Sequence, residues 1–153
     1  MNEATAPQKN LFNIEKLYVK DLSLEVPHAP GVFLERENPR IDLKLRDEAV
    51  SIEDGVFEVV VTITVTARLE DKVMFLIEAE QAGIFRIENF PQKELGQILG
   101  GLCPGILYPY LNELVSSMSV RAGFAPVLLN PINFDALYQQ KQLQADSEPV
   151  TTH

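Results

Sequence analysis

The sequence is short of the residues from which active sites are most often built. Its 153 residues include one cysteine, Cys103, and two histidines, His28 and His153. A lone cysteine cannot close an intrachain disulfide, the habit of proteins kept in a reducing compartment. A cysteine nucleophile would need a histidine base, and one of the two histidines is the last residue. Cys103 precedes Pro104 among apolar residues, the surroundings of an inert, buried thiol. One cysteine and one internal histidine also fall short of a zinc ligand set. Basic residues are scarce: 13 Lys and Arg against 22 Asp and Glu leave a formal charge of −9. That balance argues against nucleic acid, whose phosphates call for Lys and Arg, and against anionic membrane surfaces. It leaves a basic partner, or plain solubility, as the use of the acid excess. The first residues, Met-Asn-Glu-Ala-Thr-Ala, lack the basic and apolar regions of a secretory signal. The longest nearly uncharged apolar stretch, residues 98–107, is about half a membrane helix and is interrupted by glycines and a proline. Residues 100–105 are glycine-rich but lack the Lys-Ser/Thr and the spacing of a phosphate cradle, so a backbone adjustment is their expected role. The expectation is a cytoplasmic protein with no integral membrane association, no catalytic residue, no cofactor and no metal.

What is present is the material of one core. Hydrophobic residues make up 46% and charged residues 23%, a globular composition. A single domain over 11–145 is expected, between polar, unpatterned tails at 1–10 and 146–153. Residues 57–69 alternate apolar odd positions (Phe57, Val59, Val61, Ile63, Val65, Ala67, Leu69) with even positions that are polar except for Val60 (Glu58, Val60, Thr62, Thr64, Thr66, Arg68). Period two with β-branched side chains predicts a long strand with one face buried. Glu70 and Asp71 turn it into a return strand over 73–82. Residues 18–26, with Leu22, Leu24 and Val26 on one face, and residues 41–46, with Ile41, Leu43 and Leu45, add two more strands. Pro27, Pro30 and Pro39 make the connection between those two a long loop. After Gly83 the period changes. Leu107, Leu111, Leu114, Val115, Met118 and Ala122 predict an amphipathic helix with Pro109 in its first turn and Gly123 as C-cap. Asn133 is a good N-cap for a second helix from Phe134 to about Ala145. Four strands followed by two C-terminal helices on one face predict an α+β fold built on an antiparallel sheet.

Two features point to binding surfaces. Asp21 and Glu25 share the polar face of the first strand, and Leu76, Glu78 and Glu80 share one face of the return strand. If both are the solvent side of one sheet, they form an acidic patch around a leucine, and adjacent like charges in a sheet carry a cost that suggests a use. The alternative is that Lys44, Arg46 and Arg68 on neighbouring strands neutralise them. The loops at 27–34 and 123–129 are unusually apolar; either they pack onto the sheet and helix, or they line a groove for a partner or ligand.

The segments KDLSLEVPHAP at 20–30, QAGIF at 81–85, CPGILYPY at 103–110 and NFDAL at 133–137 together resemble the SecB family of bacterial export chaperones. The likeness runs in order from about Phe12 to Gln140. It implies an ATP-independent holdase that assembles as a dimer of dimers, binds non-native preproteins and delivers them to the SecA motor. It implies contact between a basic, zinc-containing segment of SecA and Asp21, Glu25, Leu76 and Glu78. It places the client groove near Phe33, Tyr110, Phe124 and Leu129, and a region of tetramer assembly at Ile77, Ala79 and Gln81. The family's C-terminal tail is often more acidic than this one, which offers only Asp146 and Glu148. The rival expectations are a small-ligand-binding protein, an adaptor or oligomerisation domain, and a SecB-like chaperone dedicated to an antitoxin.

Overall fold

A computed structural model describes residues 9–147. Four strands come first: β1 (Leu11–Glu25), β2 (Arg40–Glu53), β3 (Val56–Leu69) and β4 (Lys72–Glu88). A 3-10 turn at Gly31–Leu34 interrupts the β1–β2 loop. The helices follow: α1 (Gln92–Gln97), a π-helical turn (Ile98–Leu102), α2 (Cys103–Arg121) and α3 (Phe134–Ser147). The strands form one antiparallel sheet in the order β1-β4-β3-β2, so the β1–β2 loop crosses from one edge of the sheet to the other. The architecture is the expected α+β one.

The register sorts the side chains. Val65 pairs with Ile77, Ile63 with Ala79, Val61 with Gln81 and Phe57 with Phe85, and these odd positions face the helices. β1 joins them with Leu24 opposite Ile77 and Leu22 opposite Ala79, then with Val19 opposite Gln81 and Leu17 opposite Gly83. The parity changes because β1 is bulged between Val19 and Asp21 and again between Ile14 and Lys16. Those bulges hid the first half of β1 from a strict period-two reading. β4 likewise runs past Gly83 to Glu88, and β2 runs on to Glu53.

α2 lies across the two central strands, and Leu107, Leu111 and Val115 are buried against them with Val59, Val61, Ile63 and Phe75. Pro109 stands inside this helix, not in its first turn, because α2 begins at Cys103 with Pro104 at the start. The hydrogen bond Pro109 cannot donate would have gone to the carbonyl of Gly105, which is exposed to water. Gly123 ends α2 with φ +93°, and the Asn133 side chain caps α3, accepting from the Ala136 N–H at 3.0 Å, both as expected.

The π turn is where α3 docks. Gln97 Nε2 donates to Asp135 Oδ1 at 2.9 Å, and a Cβ at Gly100 or Gly101 would collide with Tyr138 or with Asp135. The glycine-rich stretch is thus a close-approach surface for a helix. Gly100→Val should push Tyr138 out and loosen α3 while the sheet stays intact. A loss of about 1–3 kcal/mol is expected, seen as a lower urea midpoint with reduced helical circular dichroism; an unchanged midpoint would contradict this docking.

Candidate functional site

The side of the sheet away from the helices carries no covering layer among the described residues. Along it, Glu25 pairs with Leu76, Ser23 with Glu78 and Asp21 with Glu80. The next strand places Thr66, Thr64 and Thr62 opposite the same β4 residues. Asp21, Glu25, Leu76 and Glu78 are therefore neighbours on one bare face, with Glu80 beside them. Asp21, Glu25 and Glu78 are exposed; Leu76 and Glu80 are half-buried. Thr64 Oγ1 donates to Glu78 at 3.4 Å. Among the described residues none of the four carboxylates forms a salt bridge, and neither do Lys44, Arg46 and Arg68.

One end of the patch is bounded by a polar network. The Tyr18 hydroxyl donates to Glu58 Oε2, and Lys20 Nζ lies 2.7 Å from Glu58 Oε1. Burial first, and then the Glu58 carboxylate, push the Tyr18 phenol up to about 12. Hydrogen bonds from Lys20 and Tyr18 hold the Glu58 carboxyl below its ordinary range. Period two assigns Glu58 to the polar face of its strand and says nothing of Lys20; only the register, with its bulge before Asp21, brings them together.

On the helix side, α2 stops short of β2 and leaves an open groove of about 730 Å³. Its aromatic floor and wall come from three distant segments. Phe75 of β4 lies 4.8 Å, ring to ring, from Phe124 in the α2–α3 loop, and Phe124 lies 5.5 Å from Phe33 in the 3-10 turn. Buried Val32 anchors that turn. The absence of a side chain at Gly123 leaves room for the Phe33 ring. The groove gathers Phe33 and Phe124 but not the other two expected residues. Tyr110 is half-exposed on α2 away from it, and Leu129 is buried, its N–H donating to Asn112 Oδ1 at 2.9 Å. Neighbouring Leu128, 73% exposed, lines the groove in its place. Ile41 and Leu43, apolar positions on an edge strand beyond the reach of α2, complete it.

Ile77, Ala79 and Gln81 lie on the opposite side of β4 from Glu78, beneath the helix layer, and are buried within one chain. They offer no exposed contact surface. Cys103 is buried, and burial raises its thiol to about 12, leaving no thiolate at neutral pH. No cluster able to hold a metal occurs among the described residues, and no helix in them is long and apolar enough to cross a membrane.

Comparison with known proteins gives a consistent result. The family model "Preprotein translocase subunit SecB" matches residues 5–145. The chain is 54% identical to the protein-export protein SecB of Methylobacillus flagellatus over 98% of its own length and 96% of that protein. It is 62% identical to the SecB of Nitrosomonas eutropha, covering 92% and 90%. Among solved structures it shares the fold of a Mycobacterium tuberculosis SecB-like chaperone solved with a peptide from an antitoxin, with TM-score 0.65 and 17% identity over 79% of this chain and 90% of that one.

The polar network has a definite pH signature. Folding favours the protonated Tyr18, so its contribution is complete below the ordinary phenol value of 10.0 and disappears as the pH rises toward 12. Folding favours the ionised Glu58, so its contribution is present above the ordinary carboxyl value and is lost as the pH falls through the lowered one. Followed by the ring NMR shift, Tyr18 should titrate near 12, and Glu58→Gln should lower that value without restoring 10.0, because burial persists. Titration of Tyr18 at the ordinary value in the native protein would contradict the network.

Proposed function

We propose a working scheme for this chain from one premise: it belongs to the SecB family, and it is a chaperone of protein export. It acts in the cytosol as an ATP-independent holdase for preproteins. It delivers them to SecA, whose basic segment docks on Asp21, Glu25, Leu76 and Glu78. The observation that carries the scheme is the separation of two surfaces by one sheet. An acidic patch without ion pairs among the described residues lies on the bare face, and an apolar groove lies on the helix side.

Holding requires no bond chemistry. An apolar client segment laid across Phe33, Phe75, Phe124 and Leu128 gains about 25 cal/mol for each Å² removed from water. Clients with several such segments would engage several copies at once, and avidity would do the rest. Assembly as a homotetramer is supported by β1, an edge strand whose helix-side residues Ile14, Val19 and Leu22 stay exposed in the single chain. Ile77, Ala79 and Gln81 would influence assembly from beneath, through the seat of α2.

Reversing the charge of Asp21 and Glu78 together, each to Lys, should abolish salt-sensitive binding of SecA while leaving suppression of preprotein aggregation without ATP intact. Undiminished SecA binding would sink the patch assignment. Failure of the native protein to slow aggregation would sink the holdase.

A further inference from the structure

The acidic patch has a cation at its border that ought to weaken it. Lys20 immediately precedes Asp21, and it is the extra residue of the bulge between Val19 and Asp21. Asp21 in turn faces Glu80 across the β1–β4 ladder. A lysine stem is long enough to set its ammonium between those two carboxylates, and the charge of Lys20 already feels Glu80. It does not pair there. Its Nζ is 2.7 Å from Glu58 Oε1 instead.

Glu58 lies opposite Ile84 on β4, whereas Glu80 lies opposite Thr62. At ~3.3 Å per residue, the two acids are separated along the strand by about 13 Å. Glu58 therefore draws the ammonium away from the patch. Its carboxylate is itself held, because its other oxygen accepts the Tyr18 hydroxyl. It is also sheltered: the Glu58 side chain is only 14% exposed, against 43% for Lys20. Water screens such a pair less than one between two fully exposed groups.

We propose that Glu58 is a positioning residue for the docking face: fixed by Tyr18, it keeps the Lys20 ammonium off Asp21 and Glu80 and so preserves an uncompensated acidic surface for a basic partner segment. The inference rests on the docking role given to the patch. With Glu58 neutral, the Lys20 ammonium swings to the carboxylates and competes with the partner's own Lys and Arg.

Four forms of the full-length protein test this, with the zinc-loaded basic segment of SecA as probe and calorimetry at low salt as readout. Glu58→Gln should weaken binding about threefold to fivefold, the scale of one exposed ion pair. Lys20→Met should bind as well as the native protein or more tightly. Glu58→Gln combined with Lys20→Met should recover native affinity, a rescue that general damage to the sheet would not give. If Glu58→Gln unfolds the chain, Tyr18→Phe takes its place, with a smaller loss that Lys20→Met again restores. Unchanged binding in the folded Glu58 variant, or a loss that Lys20→Met fails to rescue, overturns the proposal. Asp21→Asn with Glu78→Gln separates the two ideas. If that pair leaves binding intact, the docking role of the patch fails and the positioning role falls with it. If it weakens binding while Glu58→Gln does not, only the positioning role fails.

Discussion

The structure depends on the seating of one helix across the middle of one sheet. α2 packs on β3 and β4, burying Leu107, Leu111 and Val115 completely against the odd-numbered side chains of those strands. One helix is about 10 Å wide, and adjacent strands lie about 4.8 Å apart, so a single α2 covers two strands of four. The edges must stay partly bare on the helix side. That shortfall turns Ile41 and Leu43 into groove lining and leaves Ile14, Val19 and Leu22 exposed on the other edge. In an isolated soluble domain such surface would be a liability. In the proposed scheme it is the material of client binding and assembly.

The same arrangement frees the far side of the sheet for a different task. With no second layer over it among the described residues, that face can carry threonines along β3 and carboxylates along β1 and β4. Charge is expensive beneath a helix and nearly free here. The acid excess of the composition thus acquires a location, and in the proposed scheme the sheet between the two faces keeps client and motor contacts apart. The bulges of β1 matter to both sides. They keep apolar residues aimed at the helix layer, and they set Lys20 beside Asp21, where its ammonium pairs with Glu58.

Much of this was legible in the sequence, for physical reasons. The alternation from Phe57 to Leu69 needed no tertiary help, because a strand buried on one side must show period two. Asp21 with Glu25, and Leu76 with Glu78, could each be placed on one face of their own strand by parity alone, since no bulge falls between the residues of either pair; that the two faces are one side of the sheet needed the register. The first half of β1 was hidden because its bulges reverse that parity. The start of α2 was hidden because Pro109 reads as a first-turn residue and the glycines before it as a backbone adjustment, although Gly100 and Gly101 serve close approach to α3 and the hydrogen bond lost at Pro109 falls at exposed Gly105. In the groove, Phe33 and Phe124 were foreseen from apolar loops. That Leu128 rather than Leu129 lines it depends on which way an irregular loop turns its side chains, and Tyr110 stands on α2 away from it. Local sequence does not encode that.

The central claim is that one sheet separates two independent surfaces, an apolar one for clients and an acidic one for the motor. Titration of the zinc-loaded SecA segment into the protein, first free and then saturated with an unfolded preprotein, tests it most directly. The account predicts the same affinity within about twofold and a ternary complex, because no residue is shared between groove and patch. Displacement of the client by the segment, or loss of segment binding once the groove is filled, would contradict it.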